Sequence, residues 1–189
     1  MKRSLLFALA TVALCTVATQ DAMAESNFGL QKLGVSVSYV SPEDIDGTVG
    51  FGAFADLGTV SPRFGMEAHL DRWSYSEEEE EFGTEASVSD LTLGMRGKYL
   101  FPVSNPKIQP FAGAGLGIHF LSAEVSMPPT GPFPGMSMEE SSTDLGFELG
   151  GGMSTSLGSR TSLLTELWYG FSDIDQFSMR VGMAWQLGN

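Results

Sequence analysis

Phe177-Ser178-Met179-Arg180-Val181-Gly182-Met183-Ala184-Trp185-Gln186-Leu187 decides how this chain folds. Phe177, Met179, Val181, Met183, Trp185 and Leu187 alternate with Ser178, Arg180, Gly182, Ala184 and Gln186. Successive side chains on a strand point to opposite faces, so this stretch is a β-strand with one apolar and one small or polar face.

Working back toward the N-terminus, the same alternation recurs in seven more segments. Leu33 to Val40 places Leu33, Val35, Val37 and Tyr39 on one face. Thr48 to Leu57 does so with Val49, Phe51, Ala53, Ala55 and Leu57. Arg63 to Tyr75, Val88 to Phe101, Ile108 to Leu121, Asp144 to Leu157 and Arg160 to Phe171 complete a set of eight strands. The connections at Gly58 to Pro62, Pro102 to Pro106 and Gly158-Ser159 are short. Those at Ser76 to Ser87 and Ser122 to Thr143 are long, and Ser41 to Gly47 and Ser172 to Gln176 are intermediate. Barrels of the bacterial envelope have an even strand number, tight turns on one side and longer loops on the other.

The N-terminus sets the compartment. Lys2 and Arg3 precede an apolar run, Leu5 to Val17, and Ala22-Met23-Ala24 supplies a small-x-small cleavage site. The run is too short to span a bilayer as a helix and has the length of a signal-peptide core. Residues 1–24 are thus expected to be a cleaved signal peptide and 25–189 the barrel domain. Lipidation at Cys15 is the rival, but Leu14 before it is too bulky for that processing. Cleavage removes the one cysteine, so the mature chain carries no disulfide or thiol chemistry.

The whole chain has 10 basic and 23 acidic residues, and loss of Lys2, Arg3 and Asp21 leaves 8 and 22, a net charge of -14. Such acidity excludes nucleic acid as a partner, because phosphates would be repelled. No mature segment reaches 18 continuous apolar residues, so a membrane-spanning helix is not expected.

Tyr39, Trp73, Tyr75, Phe120, Trp168, Tyr169, Phe171 and Phe177 fall near one end of the strands, and Tyr99, Phe101, Phe111 and Trp185 near the other. Two such groups fit the aromatic belts of a membrane barrel. Trp73 and Tyr75 have the opposite parity from Phe64 to Leu70, which a bulge or an exit from the membrane would explain. Gly94, Gly113, Gly115, Gly117, Gly146, Gly150 and Gly152 lie on the polar faces. Glycine weakens a strand unless the neighbours need the room, and the interior of an eight-stranded barrel is just wide enough to be filled by side chains.

The export signal, the eight amphipathic strands and the segment Gln109-Pro110-Phe111-Ala112-Gly113-Ala114-Gly115-Leu116-Gly117 resemble the small outer-membrane β-barrel family that includes the membrane domain of OmpA, OmpX and OmpW. Ser178 to Leu187 is similar to the terminal strand those proteins present to the barrel-assembly machinery. The family usually ends on an aromatic residue, whereas this chain ends Leu187-Gly188-Asn189, with Trp185 in phase. The resemblance implies an all-β, eight-stranded antiparallel transmembrane β-barrel in the outer membrane, a monomer in contact with membrane lipid and lipopolysaccharide.

Glu67, Arg96, Glu148, Glu166 and Arg180 share the polar face. They form either a polar gate or a network in which buried charges neutralise one another. His69 and His119 are the two histidines; His119 with Ser122 is the nearest approach to a catalytic pair, and its spacing is generic. No catalytic constellation, metal-ligand cluster or cofactor motif is legible, and the glycine pattern is no nucleotide fingerprint, since no helix follows it. Glu77, Glu78, Glu79, Glu80, Glu81 and Glu85 form an acidic outward loop, either a solvated run or a holder of divalent cations. Met127 to Met136 is an apolar, proline-stiffened connector. The expectation is a non-enzymatic barrel with a structural or surface-exposed role and specificity in its outward loops. The alternatives are a narrow porin-like channel for small or hydrophobic solutes, a lipid-active enzyme, and a soluble secreted barrel with the apolar set inside.

Overall fold

The computed structural model describes residues 27–79, 84–127 and 135–188. The expected signal peptide, Glu80, Glu81 and the proline-rich stretch 128–134 lie outside them. Eight antiparallel strands form a closed ring: β1 (Asn27–Pro42), β2 (Thr48–Ser61), β3 (Phe64–Glu79), β4 (Thr84–Leu100), β5 (Ile108–Met127), β6 (Met136–Ser156), β7 (Thr161–Phe171) and β8 (Gln176–Gln186). Each strand pairs with its sequence neighbours, and β1 pairs with β8 from Lys32↔Gln186 to Pro42↔Gln176, which closes the barrel. Closure satisfies the backbone of both terminal strands, which would otherwise carry unpaired N–H and C=O groups.

The turn-side end of β2 holds an irregularity. Its pairing with β3 shifts between Asp56 and Ser61, where Gly58 adopts φ 75° and donates its N–H to the Asp56 carboxylate at 2.9 Å. Glycine suits that left-handed backbone because a Cβ there would be strained.

The apolar set faces out. Phe51, Leu93, Leu116 and Val181 are all more than half exposed, and comparable side chains encircle the barrel. Soluble monomers rarely expose apolar patches beyond a few hundred Å². The charged side chains Glu67, Arg96, Lys98, Glu148, Glu166 and Arg180 are instead buried inside. This arrangement is the reverse of a soluble barrel and excludes that alternative.

Three aromatic assignments change. Trp73, Phe111 and Trp168 are buried in the lumen rather than placed in rim belts. Trp73 continues the inward column of Glu67, His69 and Asp71, and β3 pairs with β4 from Phe64 to Glu79 without a register shift, so no bulge turns it. Its indole donates to Gln176 Oε1 at 2.8 Å across the barrel mouth. Tyr39, Phe120, Tyr169, Phe171, Phe101 and Trp185 do lie on the outer surface.

The long connections are also not loops for most of their length. β3 and β4 continue pairing to Glu79↔Thr84, and β5 and β6 to Met127↔Met136. A membrane-spanning strand needs only about 9–11 residues, whereas β5 has 20 and β6 has 21. β4 stays paired with β5 as far as Glu85↔Ser126, so β3 to β6 rise together as one four-stranded sheet above the apolar band.

Candidate functional site: the lumen and the sheet above it

Register builds the lumen cluster. Glu67 pairs with Arg96, Arg96 with Gly115, and Gly115 with Glu148, while Glu166 pairs with Arg180. Gly115 leaves open the space that Arg96 needs to reach Glu148. A Cβ there would stand 2.9 Å from the Arg96 stem and 3.1 Å from the Glu148 carboxylate. Arg96 donates to Glu148 through Nε at 2.7 Å and Nη2 at 3.1 Å, a two-pronged pairing that fixes both groups.

Lys98 and Arg180 join the remaining carboxylates. Lys98 Nζ donates to Glu67 at 2.5 Å and to Glu166 at 2.6 Å. Arg180 donates through Nε to Glu166 at 2.6 Å and through Nη2 to Glu67 at 2.5 Å, and Nη2 also pairs with Glu166. Asp71 sits at the outer edge of the cluster, 3.6 Å from Arg96 and 3.7 Å from Arg180, and hydrogen-bonds His69 Nδ1 at 2.8 Å. The five residues picked from the sequence thus lie in one cluster. Lys98, Asp71 and His69 complete it, and their shared parity with Glu67 and Arg96 was the available signal.

Aromatic rings floor the cations. The Arg96 guanidinium lies 4.4 Å from the centroid of Trp168, Lys98 Nζ 4.5 Å from Phe111, and Arg180 5.1 Å from Phe54. Such contacts add attraction where water is excluded. The inward glycines give these rings their room: a Cβ on Gly150 would stand 2.6 Å from the Trp168 ring.

A second cluster lies nearer the outer mouth. His119 Nδ1 is 2.7 Å from Asp90 Oδ2 and 3.0 Å from Thr92 Oγ1, and Thr92 donates to Asp90 at 3.0 Å. Carboxylate and hydroxyl share one ring nitrogen, so no relay runs from acid through imidazole to a nucleophile. Ser122 stands on the opposite face of β5 from His119. Among the described residues no group of three or more His, Cys, Asp or Glu could hold a metal ion.

Above the apolar band the strand faces exchange character. The outward column of β5 runs Leu116, Ile118, Phe120 and then Ser122, Glu124, Ser126, and that of β4 runs Met95, Leu93, Leu91 and then Ser89, Ser87, Glu85. β6 repeats this with Leu149, Phe147, Leu145, then Thr143, Ser141, Glu139 and Ser137. The opposite face, above the barrel mouth, gains apolar residues (Val88, Ala123, Val125, Met127, Met136 and Met138) beside Glu140 and Ser142. Glu85, of the acidic run, lines a crevice with Ser87, Glu124 and Ser126, and Glu77 is exposed on β3. Glu78 and Glu79 belong to β3, with Glu78 paired in register to Glu85.

The sheet has two open edges. β6 meets β7 only from Phe147↔Phe171 inward, so among the described residues Met136 to Gly146 has no strand paired on that side, though the Asp144 carboxylate accepts from the Asp173 N–H at 2.8 Å. β3 likewise outruns β2 beyond Trp73.

The outer membrane protein beta-barrel domain model matches residues 7–188 of this chain. No curated protein matches it by sequence. Among solved structures, the chain is similar to Ail, the attachment invasion locus protein of Yersinia pestis, at 12% identity and TM-score 0.57, over 84% of this chain and 97% of that one. It is similar to Neisserial surface protein A at 13% identity and TM-score 0.58, over 83% and 96%. A major outer membrane protein of Thermus thermophilus aligns at 12% identity and TM-score 0.59, over 83% and 99%. With its ring of eight strands, apolar exterior and charged interior, the chain belongs to the outer membrane protein β-barrel domain family, and its place is the outer membrane.

Proposed function

We propose that this protein is a closed membrane anchor that displays a recognition sheet at the cell surface, exported by the signal at residues 1–24 and performing no covalent chemistry. The observation that carries the reading is the division of labour along the strands. Within the apolar band the lumen is filled by side chains, with Arg96, Arg180, Glu67, Glu166 and Trp168 each 3% exposed or less. Above the band, β3 to β6 continue as a sheet that barrel closure does not require. From Met136 to Gly146 the free edge of β6 is about 35 Å long at 3.3 Å per residue. This edge contains no proline, and its charged residues, Glu139, Glu140 and Asp144, are all acidic.

A free edge offers backbone donors and acceptors to an added strand, and acidic side chains along it favour a basic one. The described residues of the sheet above the band carry Glu77, Glu85, Glu124, Glu139 and Glu140 and no basic residue beyond Arg72 at its base. The partner class that fits is an extended polypeptide segment bearing basic residues. The test is amide-detected NMR of the barrel in nanodiscs, titrated with a peptide of alternating lysine and valine. Saturable shifts of the 136–146 amides, lost in Glu139→Lys/Glu140→Lys and absent with the glutamate–valine peptide, support the reading. Shifts spread over the barrel, or none, overturn it. A channel role is disfavoured because a water-filled path would expose the charged side chains that lie buried.

A further inference from the structure

The lumen is not filled evenly. Around Asp71, Arg96, Glu148 and Arg180 the free space is a cavity of about 30 Å³, whereas beneath the ion cluster, on the side of the short turns, it is about 210 Å³. A single water needs only about 10–15 Å³ on this kind of measure. The larger cavity ends blindly against Glu67 and Lys98 and opens at the mouth formed by the β2–β3 and β4–β5 turns.

One part of its wall is apolar. Phe54, Phe111 and Leu164 are buried lumen side chains that pack together here, and Leu100 packs against them. Elsewhere in the barrel most inward positions are charged, polar or glycine, with Val40, Trp73 and Trp168 as buried apolar exceptions. The apolar collar gives an apolar body a surface to bury against, while Gln109, Ser154, Ser156 and Ser162 keep the rest of the wall polar.

The mouth adds charge. The lining holds Lys32, Lys98 and Lys107 against Asp56 and Glu67, one positive charge in excess in a strongly acidic protein. Lys98 is spent on Glu67 and Glu166, and Lys32 lies 3.8 Å from Asp56. Lys107 is exposed on the β4–β5 turn and makes no ion pair among the described residues. Arg63 and Arg160 occupy the neighbouring turns, and Asp56 is the one carboxylate among the described residues of this rim.

We infer that this cavity is a binding site, open to the periplasm, for a small apolar monoanion such as a short-chain or aromatic carboxylate. The apolar body lies between Phe54, Phe111 and Leu164, and the carboxylate stays at the mouth beside Lys107. The site is independent of the extracellular sheet, so its failure would leave the surface role untouched.

The test uses the full barrel in nanodiscs with ¹³C-methyl leucine, and hexanoate as the probe. The expected result is a saturable shift of the Leu100 and Leu164 methyl signals with hexanoate and none with hexylammonium. Lys107→Glu, an exposed turn substitution that leaves the fold in place, weakens hexanoate binding by about fivefold, the scale of one exposed ion pair. Leu164→Trp fills the cavity and abolishes the Leu100 shift. No saturable shift in the native barrel overturns the inference. So does equal response to hexylammonium, or affinity unchanged by both substitutions.

Discussion

Replacing Arg180 by methionine should be among the most costly single changes in the barrel. Methionine keeps the unbranched apolar stem over Phe54 but removes every charge-assisted bond of the guanidinium. Glu166 loses the 2.6 Å bond from Nε, and Glu67 loses the 2.5 Å bond from Nη2. Three cations (Arg96, Lys98, Arg180) face four carboxylates (Glu67, Asp71, Glu148, Glu166) in the native cluster, and the substitution leaves two against four. Removing one partner of a buried pair typically costs about 3–5 kcal/mol, about two to four decades in the folding constant. Reversible urea unfolding in lipid vesicles, read by the heat-sensitive gel mobility of the folded barrel, measures it. The double variant Arg180→Met/Glu166→Gln restores the native excess of one carboxylate, so it should recover more than half of the loss. A single variant costing under about 1 kcal/mol, or a double variant whose loss equals the sum of its singles, would refute the reasoning.

Three further outcomes follow from the faces of the strands. Leu93→Arg, on the lipid side of β4, should destabilise by about 2–4 kcal/mol in vesicles if it lies near the bilayer midplane; a cost no greater than that of Ser87→Arg, higher on the same column, would contradict the assignment of the apolar band. Gly150→Val places a branched side chain against the Trp168 ring and the Leu167 carbonyl, and overpacking of that kind should cost about 1–3 kcal/mol, read as a lowered urea midpoint. Trp73→Phe keeps an aromatic ring but loses the 2.8 Å bond to Gln176 and part of the buried indole; the expected loss is at least about 1 kcal/mol, with the folded mobility retained.

The period-two alternation was legible because lipid and lumen demand opposite surfaces from adjacent residues, and it located all eight strands. It failed above the apolar band. There Ser122-Ala123-Glu124-Val125-Ser126 and Ser137-Met138-Glu139 still alternate, but with the apolar residues moved to the other face. Beside the pattern below it, that exchange resembles the end of a strand, although the ladder simply runs from lipid into water. Aromatic type also misled. Trp168 shares its parity with Glu166, and Trp73 with His69 and Asp71, so parity pointed inward where residue type suggested a rim. Lys98 and Asp71 were visible as inward residues. Their place in the cluster depends on which rows the eight strands bring level, and register across a barrel is set by closure, which one strand's sequence does not encode.

Single-channel recording in planar lipid bilayers tests the closed lumen most directly. With Arg96, Lys98, Arg180 and their carboxylates packed over Trp168, Phe111 and Phe54, the native barrel should insert without a steady open level. Replacing Glu67, Arg96 and Glu148 together by alanine should create one. A steady conductance from the native barrel would contradict the plug and restore the channel as its function.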